Sequence, residues 1–298
     1  MHVLVTGGAG FIGSHVVDAF IKRGDDVTIL DNLSSGAAMN LNPRAKFVLG
    51  DVRDREHHDE LGIVDVVVHL AAQIDVQTSI TQPDFDASTN IIGTINMLEL
   101  AKRFGAKLVL ASSAAVYNPT VPPPLWEDEI TAPSSPYGMS KLAAEGYVNL
   151  YNRLHDARHT ILRFANVYGP RQGASGEGGV VYHFANALVN GAPPVIYGDG
   201  NQTRDFIYVK DVARAVVMAA ESHRHDTFNV STGDQVSLWN LLDAMASYKA
   251  RHGLRTLPER PGDIKHSALE PTRIRVVLGW RANWLLELGV KATLESMS

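Results

Sequence analysis

The stretch Gly7-Gly8-Ala9-Gly10-Phe11-Ile12-Gly13 constrains this chain more than any other. The β-branched apolar run His2 to Thr6 reads as a buried strand directly before it. Ser14 to Ile21 reads as a helix after it, and Gly24 suits that helix's C-terminal cap. Val27 to Leu30 reads as a second strand, ending at Asp31. Residues without side chains permit a tight turn, and the following helix N-terminus offers free N–H groups and a positive dipole end. Glycines 8, 10 and 13 satisfy G-x-G-x-x-G, while Gly7, Gly10 and Gly13 give G-x-x-G-x-x-G. Strand, glycine turn, helix, strand and acid in this order form a dinucleotide-binding fingerprint.

The residue types assign roles along that unit. Gly7, Gly10 and Gly13, which lack side chains, would let backbone approach a pyrophosphate, with Phe11 and Ile12 between them in the same turn. Asp31 would accept from the adenosine ribose hydroxyls. A carboxylate there repels a 2′-phosphate, and Asn32-Leu33-Ser34-Ser35-Gly36 supplies no arginine, so NAD is expected rather than NADP. The alternation continues with strands over Lys46–Leu49 and Val64–Leu70, one long helix over 84–104 after Pro83, and a strand over Lys107–Ala111. Six prolines between 118 and 136 mark a loop, followed by a helix over 137–155 and a strand over Thr160–Phe164. Asp51, ahead of Val52, is placed to meet the adenine amino group or to cap a helix. Leu70-Ala71-Ala72-Gln73 puts small residues where a flat cofactor lies close. Asn90 either points to the sheet or is a solvated position. The fold class is α/β: a doubly wound parallel Rossmann sheet with a smaller α/β substrate lobe on its C-terminal side.

Beyond Phe164 the pattern loosens. It predicts a helix over 180–190, a strand over Arg204–Val209, a helix over 210–222, a strand Thr227–Val230 returning to the sheet, and a helix over 237–251. Two short amphipathic helices close the chain. The expected division is 1–165 for the NAD-binding domain, with a returning segment about 205–232, and 166–298 for a smaller substrate lobe. A net charge of −5 gives no electrostatic footprint for nucleic acid. There is neither a basic leader nor a long apolar run, so neither a signal peptide nor a membrane partner is expected. The absence of cysteine excludes thiolate catalysis and fits a reducing cytoplasm. The pairs His57-His58, His155/His159 and His223/His225 lack a completing carboxylate cluster, so no metal site is expected.

Chemistry concentrates in Ser135-Pro136-Tyr137-Gly138-Met139-Ser140-Lys141. Tyr137 and Lys141 fall on one helix face, and a fixed cation beside a phenol stabilises the phenolate. Alone this spacing is common on surface helices. Ser112 and Ser113 follow the strand Lys107–Ala111, at the carboxyl edge where open parallel sheets bind ligands. Ser113 by itself could be a turn serine. Beside the glycine fingerprint, the serine, phenol and ammonium converge on the nicotinamide end.

On Thr6 to Gly13, Asp31-Asn32, Asp51-Val52, Leu70 to Gln73, Ser113 to Tyr117, Tyr137 to Lys141, Arg163 to Gln172, Arg204 to Asp211 and Arg260 to Asp263, the chain resembles the extended short-chain dehydrogenase/reductase family. Within it the chain is most similar to the NAD-dependent UDP-glucose 4-epimerases. The resemblance implies that Tyr137 takes the sugar O4 proton, that Ser113 hydrogen-bonds O4, and that Lys141 binds the nicotinamide ribose and lowers the Tyr137 pKa. It implies C4 epimerisation of a UDP-hexose through a transient 4-keto sugar and tightly bound NADH. The NAD contacts it implies are Gly7, Gly10, Phe11, Ile12, Gly13, Asp31, Asn32, Ser35, Gly36, Asp51, Val52, Leu70, Ala71, Ala72, Gln73, Asn90, Ser112, Tyr137, Lys141 and Phe164. For substrate it implies Ser113, Tyr137, the diphosphate partners Asn166, Arg204 and Arg260, the uridine-pocket residues Val180, Val195 and Tyr197, and Asp263 at the ribose. Each arginine could instead form a surface ion pair. Homodimers pairing the helices near 84–104 and 137–155 are also typical of the family.

Related activities separate locally. The family's dehydratases carry Asp-Glu after the catalytic hydroxyl, and its decarboxylases carry Glu there, whereas this chain has Ala114-Ala115. Hydride transfer with plain epimerisation is expected. A 4-reductase or dehydrogenase of the same family, or an idle NAD-sensing protein, are the alternatives. Asn118 replaces the glycine usual after Val-Tyr. Ser267 falls at the family position that limits bulk at the sugar C2 substituent, and its small size implies room for N-acetylhexosamines beside UDP-glucose and UDP-galactose.

Overall fold

The structure, a computed structural model, describes residues 1–173, 179–245, 253–259 and 264–297. Its centre is a seven-stranded parallel sheet in the order β11-β6-β5-β4-β1-β2-β3. The strands are β1 (His2–Thr6), β2 (Asp26–Asp31), β3 (Lys46–Leu49), β4 (Val66–His69), β5 (Lys107–Ser113), β6 (Thr160–Phe164) and β11 (Thr227–Val230). Order reverses beside β1, because β1 pairs β2 on one side and β4 on the other. That reversal opens a crevice at the carboxyl ends of the strands. Strand β11 returns to pair with β6, Thr227 facing Ile161.

Both sheet faces are buried, which accounts for near-continuous apolar runs such as Val3-Leu4-Val5 and Val66-Val67-Val68. Helices α1 (Phe11–Arg23) and α7 (Val209–Glu221) cover one face, where Val5, Phe20, Ile29, Val216 and Phe228 pack together. Helices α4 (Gly93–Phe104) and α5 (Pro136–His155) cover the other through Leu4, Leu98, Leu110 and Val148. A further cluster, with Tyr168, Phe184, Tyr208 and Leu241, joins α6 (Val180–Val189), α8 (Leu238–Ala244) and the terminal helix Leu286–Met297.

Several elements depart from the sequence reading. Helix α1 starts at Phe11, inside the glycine stretch. The long helix expected over 84–104 is three pieces: α3 (Pro83–Ala87), a π turn (Ser88–Ile92) and α4. A short helix α2 (Val76–Thr81), capped by the Asp75 side chain on the Thr78 N–H, precedes them. The strand expected over Arg204–Val209 is broken into β9 (Thr203–Arg204) and β10 (Phe206–Tyr208). Asp205 breaks it: the carboxylate is fully buried and accepts from Thr232, Gly233 and Leu269 N–H groups. Strand β5 runs on through Ser112 and Ser113, which lie within the strand and not past it. Of the helix expected over 237–251, α8 ends at Ala244, and 246–251 lie outside the described residues.

Candidate active site

Three adjoining cavities line the carboxyl edge. The first, about 390 Å³, is walled by Asp31, Asn32, Ser35, Asp51, Val52, Leu70, Ala71, Ala72 and Gln73. The second, about 200 Å³, is walled by Gly7, Gly10, Phe11, Ile12, Gly13, Ser112, Ser113, Tyr137, Lys141 and Phe164. The third, about 360 Å³, is walled by Asn166, Val180, Val195, Tyr197 and Arg204. Gly7, Gly10, Leu70, Ala72 and Ile74 are common to the first two, and Val167 and Gln172 to the second and third. The result is one trench with the phenol, ammonium and serine at its middle.

The glycine turn tests whether a dinucleotide fits. A Cβ at Gly13 would lie 2.0 Å from the Gly7 carbonyl oxygen, so the backbone there closes on itself and leaves the helix N-terminus bare. Asp31 is buried and holds the turn: its carboxylate accepts from Ala9 N–H at 2.9 Å and Leu33 N–H at 2.8 Å. Asp31 also walls the first cavity and has further acceptor capacity. Gly36 packs against Ala9 behind the turn and does not wall that cavity. These residues fit NAD.

Asp51 walls the first cavity and is held there by its neighbours. Arg53 donates to both its oxygens, at 2.9 and 2.8 Å, and Asn32 donates at 2.8 Å. The Arg53 hydrogen bonds hold this carboxyl at about 2, well below the ordinary range. Asn90 is buried and does not wall the trench. It accepts from Gln73 N–H at 2.8 Å and donates to Gln73 O at 2.9 Å, so it fixes the loop after β4. Ser112 walls the second cavity while its hydroxyl donates to Glu145 at 2.5 Å.

Helix α5 brings the catalytic candidates together. Ser135 caps it, accepting from Gly138 N–H, and Pro136 preorganises its first turn. A Cβ at Gly138 would lie 2.3 Å from the Ala115 carbonyl oxygen, so only glycine lets the helix start press on the turn after β5. Tyr137 and Ser113 thereby wall the same cavity. The Ser113 hydroxyl oxygen accepts from Ala115 N–H at 3.2 Å and keeps its proton to donate. Lys141 is 6% exposed, and its ammonium donates to Ala111 O at 3.1 Å. Burial pulls its pKa down to about 8, against the opposing pull of Asp86 and Glu145.

The substrate-side candidates divide in two. Asn166, Val180, Val195, Tyr197 and Arg204 converge on the third cavity, and Arg204 also donates to Thr203 O at 2.8 Å. Arg260 and Asp263 lie outside the described residues. Ser267 is half-buried, its N–H donating to Thr203 O at 3.2 Å. The sequence reading missed Ile74, Asp75, Thr78 and Phe85 in the first cavity and Gln172 at the junction. Asp75-x-x-Thr78 was the available signal for the first group, as an N-cap pattern.

The model of the NAD dependent epimerase/dehydratase family matches residues 3–231. A putative UDP-glucose 4-epimerase of Methanocaldococcus jannaschii is 42% identical, over 99% of this chain and 98% of its own length. The crystal structure of Thermotoga maritima UDP-glucose 4-epimerase with UDP-glucose superposes with a TM-score of 0.95 at 40% identity, covering 100% of this chain and 98% of its own. A UDP-N-acetylglucosamine 4-epimerase from Methanobrevibacter ruminantium, in complex with UDP-N-acetylmuramic acid, gives a TM-score of 0.94 at 36% identity, over 99% and 97% of the two chains.

Proposed function

The chain belongs to the NAD dependent epimerase/dehydratase family, and on that footing we propose that it interconverts UDP-glucose and UDP-galactose through a 4-keto sugar. The observation that carries this is the trench: Ser113, Tyr137 and Lys141 wall the cavity joining the dinucleotide cradle to the cavity of Asn166 and Arg204. When bound, NAD⁺ supplies the acceptor, and then the donor, of the sugar C4 hydride. Tyr137 takes the O4 proton and returns it. Lys141 holds a positive charge that favours the phenolate. Ser113 donates to O4. Ala114 and Ala115, in the turn after β5, carry no acid or base, so elimination of water has no agent.

The nucleotide end is read in the same way. Arg204 and Asn166 take the diphosphate, joined by Arg260, while Val180, Val195 and Tyr197 hold the uracil and Asp263 the ribose. Residues 1–165 with about 205–232 form the NAD domain, and 166–298 the sugar-nucleotide lobe. The cysteine-free chain fits a cytoplasmic enzyme. Phe85, Ile92, Tyr147 and Leu154, on α3, the π turn and α5, are exposed apolar residues that suit a homodimer face. N-acetylated substrates form a second reading, favoured by the small Ser267 and by the similarity to the M. ruminantium enzyme.

Incubation with UDP-glucose, UDP-galactose and their N-acetyl forms, followed by NMR of the products, is the test. Epimeric mixtures from either direction, without added NAD, are the expected result. Turnover that requires added cofactor and stops at an oxidised or reduced sugar would make the enzyme a dehydrogenase or reductase instead.

A further inference from the structure

Burying Lys141 in a site that uses its charge creates a need for a counter-charge. The ammonium donates to a neutral carbonyl, Ala111 O. Two buried carboxylates act on its charge, Glu145 one turn along α5 and Asp86 on α3, which packs against α5. Glu145 is already matched: Arg163 donates to its two oxygens at 2.9 and 2.6 Å, and Ser112 donates to one of them. Asp86 is 1% exposed and takes its hydrogen bonds from two neutral amides, Gln73 at 2.8 Å and Asn90 at 3.2 Å. A buried anion without a matching cation is costly. The Asn90 amide nitrogen, in the π turn, also lies 2.9 Å from the hydroxyl oxygen of Ser140, next to Lys141 in sequence.

We propose that Asp86 is a positioning residue, the counter-charge that keeps Lys141 an ammonium, held in place through Gln73, Asn90 and Ser140. The proposal rests on the role given to Lys141 above. The other groups around this pair leave the assignment to Asp86. His69 on β4 is buried and held neutral, its pKa brought down to about 3 by burial and by Lys141. Arg163 on β6 is spent on Glu145. Asp75 at the start of α2 accepts from Thr78. Tyr137 is the phenol that the ammonium serves. Burial draws the Lys141 pKa down and Asp86 opposes it, in keeping with the geometry.

Asp86→Asn keeps the size and an acceptor while removing the charge. The alkaline limb of kcat should move about 1 pH unit toward acid with KM for the UDP-hexose unchanged. In ¹³Cε lysine NMR, Lys141 should be protonated at neutral pH in the wild type and should titrate lower in the variant by the same interval. Superimposable profiles and titrations for the two proteins would overturn the proposal. So would a wild-type Lys141 that is neutral at pH 7, a readout that needs no variant to fold. Asp86→Ser serves as the second charge-free variant. The NMR titration is independent of turnover: a chain that titrates as expected yet epimerises no UDP-hexose refutes the reaction and leaves the counter-charge standing.

Discussion

Tyr137 and Lys141 ask opposite things of their surroundings. The phenol must lose a proton near neutral pH and the ammonium must keep one, although burial favours the neutral amine. Their four-residue spacing on α5 puts the ammonium where it favours the phenolate, while Asp86 supplies the counter-charge the ammonium itself needs. Tyr137→Phe should therefore lower kcat about 10²–10⁴-fold, the usual worth of a positioned acid or base. NAD should still copurify, as judged by the absorbance of the released cofactor. An unchanged kcat would remove Tyr137 from the chemistry. Gly13 makes a different demand, because its missing side chain leaves the Gly7 carbonyl its place. Gly13→Ala, with its Cβ 2.0 Å from that oxygen, should open the turn and abolish NAD retention while the far end of the trench still binds UDP in calorimetry. Loss of both ligands together would point to a general folding defect.

At the scale of elements, the carboxyl ends of β5 and β6 are tied to α5 by one buried ion pair. Arg163 and Glu145 are 7% and 3% exposed, and Arg163 also donates to Glu127 O at 3.0 Å in the loop that leads to α5. Arg163→Met should cost about 3–5 kcal/mol of unfolding free energy, since it strands the Glu145 carboxylate in the interior. Denaturant titration reads this directly, and a loss within 1 kcal/mol would show the pair to be dispensable. Nothing in the local sequence announces the pair, because its members belong to different elements. The β1-turn-α1 unit was legible because fingerprint, strand and acid lie side by side. So was the α5 pairing of Tyr137 and Lys141, which is set by helical period alone. The π turn was not: Pro83 to Phe104 carries an unbroken helical pattern, and only the buried amide bonds of Asn90 to the Gln73 main chain widen it. The break at Asp205 was equally hidden, since the carboxylate's partners, Thr232, Gly233 and Leu269, come from distant chain.

Across the whole molecule, stability and assembly follow from what is buried and what is left out. His69 and His159 are buried neutral, and burial brings their pKa values down to about 3 and about 4. In the unfolded chain both take up protons near 6.5. Below that pH the unfolded state binds more protons than the folded one, so stability is lost as pH falls from 6.5 toward those values. The slope is at most about 1.4 kcal/mol per pH unit for each histidine. Unfolding midpoints measured from pH 7 to 4.5 should fall accordingly, and His159→Asn should flatten the curve, whereas a flat wild-type curve would contradict the buried neutral imidazoles. The outer face of α5 poses the converse case. Tyr147 and Leu154 there, with Phe85 and Ile92 alongside, are 38%, 64%, 36% and 47% exposed, although the opposite face of α5 is fully engaged with the sheet. Large apolar side chains exposed on α5 and the neighbouring π turn carry a solvation cost that a second copy of the chain would remove. The wild type should sediment as a dimer. Ile92→Asp with Leu154→Asp should sediment as a monomer that keeps its NAD, because neither residue walls the trench. A wild type that is monomeric at micromolar concentration, or a double variant that remains dimeric, would place the interface elsewhere or nowhere.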